Sequence, residues 1–125
     1  MTEQGIASEI ERPRSAIVQL GYNPQPFFRP PFGDCPSKLV KVAKELGVLT
    51  VMRDVESGDP NPRNTTKRLE NRVLTLTRNG SIIIMHVNGG GIWTAQALPD
   101  IVDDLRKRGF AFVSVGDLLK HEDAQ

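Results

Sequence analysis

The sequence is poor in the residues on which several kinds of site depend. It has one cysteine, Cys35, and two histidines among 125 residues, which excludes an internal disulfide framework and a cysteine-rich zinc site. Its 16 basic and 15 acidic side chains nearly cancel and leave a formal net charge of +1. Domains that bind nucleic acid through bulk charge usually carry a basic excess, so we expect no nucleic-acid partner.

Long apolar runs are missing as well. No run approaches the roughly 18 apolar residues that a membrane-spanning helix needs, so we expect no membrane partner. Glu3, Glu9 and Glu11 interrupt the stretch where a signal peptide would have its apolar core. We therefore expect a cytoplasmic protein and, from the length, one domain over residues 1–125.

Short apolar runs alternate with amphipathic segments, which is typical of an α/β protein with parallel strands. The sequence predicts strands at residues 26–29, 48–52, 81–85 and 110–115. The apolar periodicity predicts helices near residues 6–20 with a break at Pro13, from 36 to 46, from Asn64 or Thr65 to 76, from 98 to 105 with Pro99 in the first turn, and a short turn at 117–120. We expect about four parallel strands joined by crossover helices, with exposed sheet edges.

Polar residues follow three of the predicted strands. Residues 29–33 (Arg-Pro-Pro-Phe-Gly) follow the first, residues 54–59 (Asp-Val-Glu-Ser-Gly-Asp) the second, and His86 the third. Sites of parallel α/β folds are built at the carboxyl ends of strands, so this placement favours a functional cleft. Residues 89–91 (Gly-Gly-Gly) lack the lysine of a phosphate-binding loop, and we interpret them as a flexible loop.

These segments, in this order, resemble the NodB-homology polysaccharide deacetylases, carbohydrate esterase family 4. Residues 29–33 are similar to the family's third motif, Arg-Pro-Pro-Tyr-Gly, with Phe32 in place of tyrosine. Residues 54–59 resemble the fourth motif, which usually opens with tryptophan where this chain has Arg53, and residues 84–86 (Ile-Met-His) resemble the fifth, Leu-x-His. The resemblance implies a partial (β/α) barrel, the later half of a deacetylase barrel.

The resemblance also implies roles for individual residues. The family hydrolyses N- or O-acetyl groups on carbohydrate with a divalent metal, typically zinc, held by an aspartate and two histidines. Carried over to this chain, His86 is the general acid, Asp59 orients it, and Arg29 holds the catalytic base. The substrate-binding residues would be Pro30, Phe32, Trp93 and Leu98.

Two family motifs are absent from the sequence. Thr-Phe-Asp-Asp and His-(Ser/Thr)-x-x-His supply the family's base and metal ligands, and neither string occurs here. We therefore assign no metal ligand and no bound cofactor, and expect a truncated domain that is inactive alone. Three interpretations stay open: a complementing chain rebuilds the site, a remnant binds carbohydrate, or a structural protein self-associates as a homodimer through its exposed sheet edges.

Each candidate residue also has a structural interpretation. His86 is consistent with a hydrogen-bonded histidine at a strand end. Arg29 is consistent with a structural ion pair to Asp54 or Asp59. Trp93 is more often a core anchor than a sugar-stacking platform.

Overall fold

The computed structural model describes residues 1–122, with side chains up to residue 120, so the His121 side chain lies outside the described part. The chain divides into two compact units, Met1–Met52 and a second that starts at Arg53. No helix within residues 1–122 is long and apolar enough to cross a membrane. A single domain over residues 1–125 stays a prediction.

The first unit contains two helices and a pair of short parallel strands. Its elements are α1 (Glu3–Gln19), β1 (Phe27–Phe28), a 3-10 turn (Pro31–Gly33), α2 (Ser37–Glu45) and β2 (Leu49–Thr50). Phe27 lies opposite Leu49 in the β1–β2 register. Its core is a cluster of buried apolar side chains from α1, α2 and the approach to β2: Ile6, Ile10, Val42, Ala43 and Val48.

The second unit also contains a pair of short parallel strands, together with three helices. Its elements are β3 (Val55–Glu56), α3 (Thr66–Leu76), β4 (Ile83–Ile84), α4 (Thr94–Lys107) and α5 (Val115–Glu122). β3 and β4 are parallel, with Glu56 opposite Ile84. Apolar residues spaced four apart form one face of α3 and one of α4, and the two faces bury each other. This second core contains Leu69, Val73, Ala97, Ile101 and Leu105.

The α/β class is confirmed, but the strands are shorter than expected and form two separate pairs. The prediction of a strand at residues 110–115 is wrong, because residues 110–114 have no regular structure and α5 begins at Val115. Ser114 explains the helix start, since its hydroxyl accepts a hydrogen bond from the Asp117 amide at 3.1 Å. An apolar run also needs a paired neighbour to become a strand, and Phe112 and Val113 are half-exposed.

Two prolines lie inside helices instead of interrupting or starting them. α1 continues through Pro13, and α4 begins at Thr94, so Pro99 is well past the first turn. Each proline removes one helical hydrogen bond. Buried residues on the same helices, such as Ile10 and Ile101, anchor them in the two cores and offset that loss.

Leu69→Ala tests the second core. Leu69 is fully buried, so the truncation should lower the free energy of unfolding by about 2 to 5 kcal/mol. Leu76→Ala is the matched control, because Leu76 is on the same helix and 46% exposed; its cost should stay below about 1 kcal/mol. Urea unfolding measures both, and equal costs would contradict the assigned core.

Candidate functional site

The second unit brings together two of the predicted catalytic residues, Asp59 and His86. Asp59 follows β3 and His86 follows β4, so both lie at the carboxyl end of the same parallel pair. His86 Nδ1 lies 2.9 Å from Asp59 Oδ1. The carboxylate is 1% exposed, whereas the imidazole is 40% exposed. A buried carboxylate therefore holds a ring that can still reach a ligand.

Three further donors complete the environment of the Asp59 carboxylate. The Ser57 hydroxyl donates to Oδ1 at 2.9 Å. The His86 backbone amide donates to Oδ2 at 2.5 Å, and the Thr94 hydroxyl donates to the same oxygen at 2.6 Å. With the imidazole, each oxygen has two partners, which fills the roughly four acceptor positions of a carboxylate.

These contacts determine the charge of Asp59 and the tautomer of His86. Burial raises the pKa of Asp59, but the hydrogen bonds from Thr94, from the amide and ring of His86, and from Ser57 outweigh burial and lower that pKa below its ordinary value. Asp59 is therefore an ionised acceptor at neutral pH. Nδ1 of His86 must then carry a proton, which leaves Nε2 as the ring nitrogen that is not bonded to Asp59.

A tight turn over the His86 backbone brings Thr94 to the site. The Gly91 amide donates to the Asn88 carbonyl at 2.8 Å, and the Thr94 amide donates to the Gly91 carbonyl at 3.3 Å. A Cβ atom on Gly91 would lie 1.8 Å from the His86 carbonyl oxygen. Glycine is therefore required at residue 91 by this close approach, and the segment interpreted as a flexible loop forms a hydrogen-bonded turn.

Sequence reasoning missed Ser57 and Thr94. Ser57 has a local signal, because a serine two residues before an aspartate commonly bonds to the backbone of that aspartate, as Ser57 Oγ does with the Asp59 amide. Thr94 has no such signal. It is 35 residues from Asp59 in sequence and reaches it only because the turn at Gly91 reverses the chain.

The other predicted residues of the second unit are at the start of α4 and on it. Trp93 precedes the helix and packs, partly buried, against the second core. Its indole Nε1 is buried and has no hydrogen-bond partner among the described residues. Leu98 is 42% exposed. The position of Trp93 is that of a core anchor, and substrate binding by Trp93 and Leu98 stays a prediction.

The remaining predicted residues, Arg29, Pro30 and Phe32, belong to the first unit. Arg29 Nε donates to the Val51 carbonyl at 3.3 Å, and Pro30 is buried. Phe32 is fully exposed and has a φ of 58°, the left-handed region that non-glycine residues rarely adopt. Such a conformation costs about 1 kcal/mol or more. The roles assigned to these three residues stay predictions.

Asp54 has a structural role in the second unit. Its Oδ1 accepts from the Ile82 amide at 2.7 Å, and its Oδ2 accepts from the Ser81 hydroxyl at 2.9 Å. Arg78 Nε lies 3.7 Å from Oδ2. These contacts tie the loop before β3 to the residues before β4.

The described residues do not fit a divalent metal. Among the side chains that the structure describes, residues 1–120, no group of three or more histidine, cysteine, aspartate or glutamate residues is placed to hold an ion. Asp59 and His86 provide two ligand-type groups, but hydrogen bonds already occupy the Asp59 oxygens. The Asp59–His86 pair therefore offers no open carboxylate position to a metal ion.

Comparison with known proteins reveals related deacetylases. The chain is 33% identical over 100 residues to a peptidoglycan-N-acetylglucosamine deacetylase of Bacillus cereus, a match covering 76% of this chain and 46% of the relative. It is 33% identical over 108 residues to a bifunctional xylanase/xylan deacetylase of Cellvibrio japonicus, covering 86% and 16%. No family model matches the chain.

A solved structure agrees with these relatives. The Xyl-CE4 domain of a multidomain xylanase from the hindgut metagenome of Trinervitermes trinervoides matches with a TM-score of 0.86 and 27% identity, covering 98% of this chain and 58% of that chain. The chain is homologous to the family 4 carbohydrate esterases. The resemblance to polysaccharide deacetylases is thus confirmed, and the chain spans less than half the length of the two curated relatives.

Gly91→Ala tests the turn over His86. The added Cβ would collide with backbone, which cannot move aside as a flexible side chain would. The free energy of unfolding should therefore fall by more than about 2 kcal/mol. Gly89→Ala is the control, because a Cβ at Gly89 meets nothing within 4 Å. Chemical denaturation compares the two, and a Gly91→Ala chain as stable as the control would contradict the close approach.

The lowered pKa of Asp59 predicts how stability depends on pH. The folded-state pKa lies below the unfolded value of about 3.9, so the stabilisation is fully present above that value and is lost as pH falls through the folded pKa. Asp59→Asn should therefore reduce the dependence of unfolding free energy on pH in this acid range.

Asp103→Asn is the control for this measurement, because Asp103 is an exposed residue of α4. It should retain the acid dependence of the unsubstituted chain. Urea unfolding at a series of pH values between about 6 and 3 makes the comparison. An Asp59→Asn chain with an unchanged acid dependence would show that Asp59 is not held ionised by its partners.

Proposed function

We propose that this chain provides the proton-donating half of a polysaccharide deacetylase site and does not hydrolyse acetyl groups by itself. The observation that carries this proposal is the 2.9 Å contact between His86 Nδ1 and a carboxylate that is 1% exposed. The homology to deacetylases supports the reaction class.

Removal of an acetyl group requires a proton for the departing sugar nitrogen or oxygen. In our proposal, protonated His86 gives the proton on Nε2 to the departing nitrogen or oxygen and becomes neutral imidazole. Nδ1 keeps its own proton, which stays hydrogen-bonded to Asp59. Asp59 stays ionised throughout, fixes the ring orientation and stabilises the imidazolium before transfer. The low pKa of Asp59 supports this division of roles, because the carboxylate does not take the proton itself.

The water that attacks the acetyl carbon needs activation from outside the described residues. The described side chains include no group of three or more that could hold a metal ion. The sequence also lacks the two motifs that supply the family's base and metal ligands. A second copy of the chain would add another His86 but neither motif. We therefore propose a complementing chain, beside which Arg29 holds the base and Pro30, Phe32, Trp93 and Leu98 contact substrate.

The proposed substrates are acetylated carbohydrate polymers. The relatives are deacetylases of peptidoglycan N-acetylglucosamine and of xylan. Both substrates have an acetyl group on a sugar, so the proton acceptor is a sugar nitrogen in one case and a sugar oxygen in the other. Zinc or another divalent metal, as in the family, would belong to the complementing part. We also propose a cytoplasmic location for this part of the protein.

Self-association is the second candidate function. Phe112 and Val113 are each 50% exposed in the irregular segment before α5. A β-prone apolar run without a paired neighbour among the described residues is suited to pairing with another copy. This observation favours a homodimer, and a carbohydrate-binding remnant is the remaining alternative.

Acetate release tests the proposed function. The chain is assayed on chitin oligomers and acetylated xylan with zinc, alone and with an amino-terminal deacetylase segment that carries the two missing motifs. We expect no release from the chain alone. We expect release from the mixture, reduced about 10²-fold or more by His86→Ala. His121→Ala, which replaces the other histidine, should leave the rate unchanged.

Each outcome of this assay has a distinct meaning. Acetate release by the chain alone would contradict its proposed inactivity. Release by the mixture that His86→Ala does not change would contradict the proton-donor role. No release, together with a dimer mass by light scattering, would favour self-association, and sugar binding by a monomer would favour the remnant.

A further inference from the structure

Thr94 lies at the junction between the Asp59–His86 pair and the second core. It is the first residue of α4 and is 4% exposed. Its hydroxyl donates to Asp59 Oδ2 at 2.6 Å. Three residues later, Ala97 enters the core, followed by Ile101 and Leu105. The hydroxyl therefore occupies a position that the packing of α4 determines.

We propose that Thr94 is a positioning residue for the His86 general acid and acts through Asp59. This inference rests on the proposed function for the role of His86, but the contact itself does not depend on activity. The side-chain hydrogen bond of Thr94 goes to Asp59 and not to the ring. It determines which way the Asp59 carboxylate points.

The rotation of the carboxylate is the degree of freedom that needs control. Thr94 and the His86 amide both hold Oδ2, which leaves Oδ1 directed at Nδ1 of the ring. Ser57 also holds Oδ1, but it lies two residues from Asp59 and belongs to the same loop. Thr94 is the donor that relates the carboxylate to a different element, the core-packed helix α4.

Loss of the Thr94 hydroxyl would release this orientation. Oδ2 would keep the His86 amide as a donor, and the buried charge would lose a strong charge-assisted bond. The carboxylate could then rotate, so that Oδ1 would no longer be held toward Nδ1 and both ring nitrogens would compete for the proton. Among the described residues, the hydrogen bonds and ion pair of His86 all go to Asp59, so no second group replaces it.

Nuclear magnetic resonance of the full chain tests this role without any activity assay. Nitrogen-15 shifts of the His86 ring report the tautomer, and the carbon-13 shift of the Asp59 carboxyl reports its titration. The variants are Thr94→Val, which removes the hydroxyl at similar volume, and Thr94→Ser, which keeps it. Thr75→Val is the control, because Thr75 is an exposed residue of α3.

We expect one Nδ1-protonated tautomer in the unsubstituted chain, in Thr94→Ser and in Thr75→Val. Thr94→Val should lose this single tautomer, and the pKa of Asp59 should rise. A His86 spectrum and an Asp59 titration unchanged by Thr94→Val would overturn the proposal. The same loss in Thr94→Ser would also overturn it, because the hydroxyl would then not be the cause.

If Thr94→Val does not fold, Thr94→Ala, which also removes the hydroxyl, takes its place. Failure of the proposed function is separable from failure of this inference. A Thr94-dependent His86 tautomer together with no acetate release from the complemented mixture would sink deacetylation and leave the positioning role intact.

Discussion

The buried negative charge of Asp59 is the constraint on which the rest of the site depends. A carboxylate taken out of water is costly unless nearly every acceptor position is filled. Here the donors come from three separate segments: Ser57 in the loop after β3, His86 after β4, and Thr94 at the start of α4. Satisfying one charge therefore fixes the loop, the strand end and the helix relative to one another.

The same hydrogen bonds explain why Asp59 is not available to hold a metal. A cation would need lone pairs on Asp59 that the hydroxyls and the amide already occupy. The charge instead acts on the one partner that can change its protonation state, His86. A preorganised donor of this kind forms together with the second unit, because its supports are backbone, hydroxyls and a packed helix. In the proposed function, formation of the proton donor and activation of water are thus separate tasks.

The sequence was sufficient to predict features set by local patterns. The apolar spacing of Leu69 and Val73 predicted α3, and Thr65 caps that helix as expected, accepting from the Arg68 amide. The family resemblance predicted that Asp59 orients His86, and the two side chains are in contact. The strand before Asp59, β3, lies in a segment that the sequence analysis placed in a loop. The apolar run at residues 110–115 does not form the predicted strand. Whether such a run becomes a strand depends on a paired neighbour, which a local pattern cannot reveal.

Thr94 and Gly91 show where sequence reasoning stops and why. A triple glycine is normally evidence of mobility, yet Gly91 is needed because its Cβ would occupy the space of the His86 carbonyl. The turn at Gly91 leads directly to Thr94, the first residue of α4, whose amide bonds to the Gly91 carbonyl and whose hydroxyl bonds to Asp59. The buried bond of Thr94 then depends on a backbone contact that no side-chain pattern encodes. The orientation of the Asp59–His86 pair is consequently a tertiary property. It depends on Gly91, which permits the turn, and on the Thr94 hydroxyl, which bonds to Asp59.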